Sequence, residues 1–130
     1  MTAGPRLTSS IPVLRVADYP RARAFWSGKL GFRVVEEGGD PPRFGIFALD
    51  AAEVFLNGWD GPDPTPGAGW RAYFYTDDVE GLAAALVAKG VSLDNGPETM
   101  SYGLREIEVI DSEGNRLCFG QVLDAAPPAS

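Results

Sequence analysis

The sequence predicts an α+β fold built from two tandem βαβββ modules, and three observations carry that prediction. The order strand, helix, three strands occurs twice; the two copies align on Asp18 and Asp78; and a segment rich in proline and glycine separates them. The expected organisation is an N-terminal tail at 1–9, a first module at 10–57, a linker at 58–69, a second module at 70–122 and a C-terminal tail at 123–130.

Residues 11–16 are strand-forming, and Pro12, which has no N–H to donate, belongs at the start or edge of that strand. Asp18 reads as a helix N-cap, with Tyr19 and Pro20 in the first turn. Ala22, Phe25, Trp26 and Leu30 then recur at helical spacing until Gly31 ends the helix, and Phe25 and Trp26 at adjacent helix positions read as core and interface residues rather than ligand contacts. Strands are predicted at 32–37, 43–49 and 53–57, separated by Gly38-Gly39-Asp40-Pro41-Pro42 and by Asp50-Ala51. In the second module a strand at 71–76 leads to a helix capped by Asp77 or Asp78, running through Leu82, Leu86 and Val87 and closed by Gly90. Strands follow at 91–93, 104–110 and 116–122. Pro62, Pro64 and Pro66 mark 58–69 as the linker.

One helix covers one face of a four-stranded sheet, so each module keeps an open face that must pair or enclose something. Two modules forming a curled mixed sheet around a cleft, with the helices outside, meet that requirement and leave a concavity for a small molecule.

Composition narrows the chemistry. The 130 residues include no histidine, which removes the commonest ligand for catalytic zinc and the usual general base near neutral pH. The single cysteine, Cys118, excludes an internal disulfide. Eleven basic against eighteen acidic residues give a net charge of −7, which opposes binding to nucleic acid or anionic lipid and favours a cationic ligand. The same charge also serves simply to keep a soluble protein dispersed. No apolar run approaches the roughly 18 residues of a membrane span, and residues 1–10 lack the core of a signal peptide, so a cytoplasmic location is expected.

The run Ile11-Pro12-Val13-Leu14-Arg15-Val16-Ala17-Asp18, with Ala24-Phe25-Trp26 and Lys29-Leu30-Gly31-Phe32, resembles the opening of bleomycin resistance proteins. Tyr102-Gly103-Leu104-Arg105-Glu106 and Asp111-Ser112-Glu113-Gly114-Asn115 resemble a second pair of motifs near the C-terminus of the same group, which belongs to the glyoxalase, bleomycin resistance and extradiol dioxygenase superfamily. The resemblance implies a homodimer whose first strand crosses to the second subunit near Pro12, with two clefts at the subunit interface. Metal enzymes of the superfamily carry ligands at four cleft positions, which fall here on Ile11, Arg71, Cys118 and the stretch 55–57. Ile11 and Arg71 cannot hold a divalent cation, so no metal or other cofactor is expected, and glyoxalase or dioxygenase activity is disfavoured.

Strand alternation assigns the cleft side chains. If Arg71 faces the cleft, so do Tyr73 and Tyr75, while Ala72 and Phe74 face the helix. Ile107 and Val109 suit the helix face, which directs Glu106 and Glu108 at the cleft. With Tyr102, Phe44, Phe47, Asn57, Trp59 and Cys118 these are the expected ligand-binding residues, an aromatic and acidic wall suited to a flat cationic ligand. The competing reading has Glu106 paired with Arg15, Arg71 or Arg105 and the tyrosines filling a collapsed core; Cys118 alone reads as a buried apolar residue.

Three functions remain open on this reading. The first is a non-catalytic protein that sequesters a cationic or aromatic compound of the bleomycin type. The second is a metal-independent isomerase or cyclase using Glu106 or Glu108 as acid or base. The third is a metabolite-sensing accessory subunit, which an exposed patch at Trp59 or Trp70 would favour.

Overall fold

The computed structural model describes residues 4–66 and 69–124; the outer parts of the two tails, at 1–3 and 125–130, and Gly67 and Ala68 of the linker lie outside the described residues. The first module consists of β1 (Val13–Arg15), α1 (Tyr19–Ala24) continued by a π-helical turn (Phe25–Lys29), β2 (Arg33–Gly39), β3 (Pro42–Leu49) and β4 (Ala52–Asn57). The second consists of β5 (Trp70–Tyr75), α2 (Val79–Ala88), β6 (Asn95–Thr99), β7 (Leu104–Ile110) and β8 (Arg116–Val122). The fold is α+β, with two four-stranded mixed sheets ordered β1-β4-β3-β2 and β5-β8-β7-β6. In each sheet the first strand runs parallel to the last and the remaining pairs are antiparallel.

The caps are those the sequence calls for. Asp18 accepts from the Arg21 N–H and Asp78 from the Gly81 N–H, each satisfying a donor that the helix leaves unpaired. At the far end of α2, Gly90 takes φ +85°, and the Gly90 and Val91 N–H groups return to the carbonyls of Val87 and Leu86, a Schellman closure. That closure is why the strand expected at 91–93 does not form: Val91 is drawn into the core as the cap's apolar contact. The strand instead begins at Asn95 and runs through Gly96-Pro97, a pair that reads as a breaker in the sequence. Val87, expected on the packed face of α2, is 56% exposed.

One apolar core joins the modules. Trp26, at the start of the π-helical turn, packs edge-on against Phe32 of its own module at 5.0 Å and against Phe74 of β5 at 6.3 Å. Val16, just past β1, and Leu14, Leu56, Ile107, Val109 and Leu117, on the helix-facing sides of their strands, belong to the same core. Polar bonds lock the junction. Asn115 donates to the Arg15 carbonyl, and Glu113 accepts from the N–H groups of Ala17 and Asp18 and from the Arg21 guanidinium. The loop between β7 and β8 therefore caps the start of the first module's helix. Among the described residues no helix is long and apolar enough to cross a membrane.

Candidate functional site

The faces that the helices leave uncovered carry the candidate site, and cross-strand register organises it. On the second sheet Tyr73, Cys118 and Glu108 form one row, and Tyr75, Gly120 and Glu106 form the next. Gly120 supplies no side chain, so Tyr73 leans over it and donates from its hydroxyl to Glu106 Oε2 at 2.8 Å. Tyr102, reaching in from the turn between β6 and β7, donates to Glu106 Oε1 at 2.8 Å. Glu106 is only 4% exposed, and among the described residues no Arg or Lys pairs with it. The expected alternative pairing with Arg15, Arg71 or Arg105 does not occur: Arg105 goes to Glu80, and the other two go to the linker.

Glu108 lies beside this unit in a different setting. It accepts from the Trp70 indole N–H at 2.7 Å and from Arg116 at 2.8 Å, and Arg116 also bonds Asp94. Trp70, Tyr73 and Tyr75 form an aromatic row with successive centroid separations of 5.1 and 5.2 Å. Trp70 joins that row because β5 breaks register with β8 between Trp70 and Ala72, a bulge that strict alternation does not foresee.

Burial, and then the neighbouring Glu106 carboxylate, raise the hydroxyl pKa values of Tyr73 and Tyr102, the latter to about 12 although the residue as a whole is 55% exposed. Both phenols are thus fixed as proton donors toward Glu106 at neutral pH. Cys118 is fully buried beneath the two glutamates, and burial followed by their charges pushes its thiol up to about 12. It stays protonated and unreactive.

The open face of the first sheet carries the rows Val13-Phe55-Ile46 and Arg15-Asn57-Phe44. Trp59 stacks on Phe44 at 5.1 Å with 10° between the rings, and Phe55 meets Phe44 edge-on at 5.5 Å. Asn57 is committed locally, donating to Asp60 and accepting from the Trp59 N–H. Phe47, expected beside Phe44, corrects the sequence reading. Three positions along one strand invert the face, and Phe47 is fully buried under α1 against Tyr19 at 6.4 Å. The structure therefore brings Tyr73, Tyr75, Tyr102, Glu106, Glu108 and Cys118 together on one sheet and Phe44, Asn57 and Trp59 on the other. Arg71 turns to the linker. Trp70, Phe55 and the glycine gap at 120 were absent from the expected set; an isolated glycine inside a strand is the one signal that pointed at such a close approach.

A groove of about 640 Å3 runs between the modules along the edge of β5 that β8 does not pair, with residues 73–77 on one side and 49–53, Ser10 and Pro12 on the other. Residues 4–10 of the N-terminal arm are all exposed, Leu7 completely.

The sequence profile of the glyoxalase/bleomycin resistance protein/dioxygenase superfamily matches residues 9–119. The chain belongs to this superfamily. Among solved structures of similar fold are TnmS3, an antibiotic binding protein from Streptomyces sp. CB03234, with 26% identity over 91% of this chain and 99% of that one and a TM-score of 0.71. TioX from Micromonospora sp. ML1 has 22% identity over 88% of this chain and 100% of that one, with a TM-score of 0.70. A glyoxalase/bleomycin resistance protein/dioxygenase from Nocardioides has 16% identity over 98% and 91% of the two chains, with a TM-score of 0.71. No curated protein matches the chain.

The four positions that the resemblance aligns with the superfamily's metal ligands do not suit a divalent cation. Ile11 has no donor, Arg71 is itself cationic, Cys118 is held as a thiol, and in 55–57 the one donor side chain is the committed amide of Asn57. Among the described residues no three His, Cys, Asp or Glu side chains converge as a metal site would require.

Proposed function

We propose that the chain is a metal-independent binding protein of the bleomycin resistance type, which sequesters a small cationic, aromatic compound without changing it chemically. The observation that carries this reading is Glu106. A buried carboxylate normally keeps a cationic partner, because taking an unpaired charge out of water costs several kcal/mol. Two phenol donors offset part of that cost and leave the negative charge uncancelled, facing an aromatic row that attracts cations and stacks on flat rings. The likeness to TnmS3, an antibiotic binding protein, supports the same reading. Support for acid or base catalysis by Glu106 is weaker: both its oxygens already accept, and the donors beside it hold their protons firmly.

The working unit in this proposal is a homodimer in the cytoplasm with two clefts, each combining the first module's open face with the second module's open face of the partner. Val13 at 54% and Tyr75 at 72% exposure, on the open sides of β1 and β5, support an assembly that covers them. The free edge of β5, the groove beside it and the exposed arm at 4–10 suit exchange of that arm near Pro12.

The test is calorimetric titration with bleomycin, with and without a divalent metal, on the wild type and on Glu106→Gln, together with light scattering for the oligomeric state. One drug bound per chain, indifferent to metal and weakened at least tenfold by the substitution, is the expected result; tenfold corresponds to about 1.4 kcal/mol. Absence of heat, together with no rise in melting temperature, removes the antibiotic from the proposal.

A further inference from the structure

The linker between the modules is not a passive tether in this structure. It leaves β4 at Asn57, where the Gly58 N–H bonds the Arg43 carbonyl at 2.7 Å, and then turns back across the open face of the first sheet. There the Trp59 ring lies flat on Phe44, with its edge over Gly38, where a Cβ would come within 3.3 Å of it. Beyond Trp59 the attachments are polar. Arg15 donates to the carbonyls of Asp60 and Gly61, and Arg71 of β5 donates to the Asp63 carboxylate at 2.5 Å and to Thr65 through its carbonyl and hydroxyl. Apolar anchoring of this stretch is slight: Trp59, Pro62, Pro64, Thr65 and Pro66 are all exposed. A segment held by a few polar contacts and little buried area is the kind that opens at small free-energy cost.

We infer that residues 58–66 form a strap that plugs the first sheet's aromatic face with Trp59, and that the Arg71–Asp63 pair is its releasable latch. Trp59 takes the place on Phe44 that a planar ring would need, so a flat ligand gains that surface only when the strap lifts. The latch ties the plug to the second module, because Arg71 stands next to Trp70 at the end of the Trp70-Tyr73-Tyr75 row. A ligand seated on that row is thus within reach of the residue that holds the strap down. This inference rests on the proposed binding function for its ligand class, but the latch has a readout that needs no ligand.

The experiment uses the full chain with Trp70→Phe, so that Trp59 is the one accessible tryptophan beside the fully buried Trp26. Acrylamide quenching of tryptophan fluorescence is compared in that background with and without Asp63→Ala, and the wild type and the Asp63→Ala protein, both with Trp70 intact, are titrated with proflavine, a planar cationic ring system. Asp63 lies on the linker outside the apolar core, so the modules should stay folded with at most a modest fall in melting temperature, which thermal unfolding checks. The expected result is stronger quenching in the Asp63→Ala protein and a proflavine affinity raised by up to about tenfold, the factor by which a site open about a tenth of the time is weakened. Equal quenching in the two proteins overturns the latch. Stronger quenching with an unchanged or reduced dye affinity overturns the plug and makes Trp59 a wall of the site, with cation binding left standing. Binding of the dye by Asp63→Ala alone supports the plug; failure of both proteins to bind it overturns the plug and the cationic ligand class together.

Discussion

The hydroxyl of Tyr73 fills the space that a Cβ on Gly120 would need, and the phenol Cζ would sit 2.7 Å from such an atom. The bond between Tyr73 and Glu106 therefore depends on a neighbouring strand having no side chain at that point. Gly120→Ala should push the phenol off the carboxylate and cost about 1–3 kcal/mol through overpacking. With its hydroxyl freed, Tyr73 should titrate nearer the ordinary tyrosine value of 10.0. Ultraviolet titration counts the phenols that ionise near that value. A Gly120→Ala protein with the same number as wild type would show that the glycine does not position Tyr73.

The Trp26 indole donates to Asp111 across 85 residues of sequence at 3.0 Å, inside the core that joins the modules. Asp111 also accepts from the N–H groups of Glu113 and Asn115 and from the Asn115 amide. Asp111→Ala leaves several buried donors unpaired and should lower stability by about 3 kcal/mol or more, at about 1–3 kcal/mol for each buried polar group left unsatisfied. Chemical denaturation measures the loss. An effect under about 1 kcal/mol, the net worth of a single ordinary hydrogen bond, would mean that the Asp111 network adds little to the joining of the modules.

Acid should loosen the same junction. Burial works against the Glu113 charge, but hydrogen bonds from Arg21, the Asp18 N–H and Ser112 outweigh it and hold its pKa below the ordinary 4.5. A depressed folded-state pKa contributes stability that is complete above the unfolded value and is lost as pH falls through the folded one. The melting temperature should therefore drop as pH is lowered below about 4.5, and Glu113→Gln should be less stable at neutral pH and show a flatter slope in that range. Parallel slopes for the two proteins would assign the acid sensitivity to other carboxylates.

Cys118 should resist thiol reagents in the folded protein at pH 8, since its side chain is fully buried and its pKa lies near 12. Reaction should appear only on addition of denaturant, at the rate of unfolding. Rapid native-state labelling would show that the floor of the second sheet opens without global unfolding.

Much of this architecture was legible in the letters. The strands at 104–110 and 116–122 coincide with β7 and β8 because strong alternation runs between clear turns. The same alternation separated Ile107 and Val109 from Glu106 and Glu108. What escaped was whatever depends on contacts between distant segments. The β5 bulge that turns Trp70 toward Glu108 leaves no mark in the pattern of β5. β6 is hidden by Gly96-Pro97, since a strand next to only β7 tolerates residues that would interrupt a central one. The order in the linker comes from Arg15 and Arg71, whose partners there lie 45 positions further along and 8 positions back in the chain, where strand alternation carries no information.

The irregularity in β5 also changes what a short strand can display. Six residues in perfect alternation would divide three and three between solvent and core. In this strand Ala72 and Phe74 alone enter the interior, leaving Trp70, Arg71, Tyr73 and Tyr75 on the outer side. A single inserted residue thus packs indole, guanidinium and two phenols into about 20 Å of backbone. Removing one position there would dilute the chemical vocabulary of the whole surface while leaving the hydrophobic pattern of the strand intact.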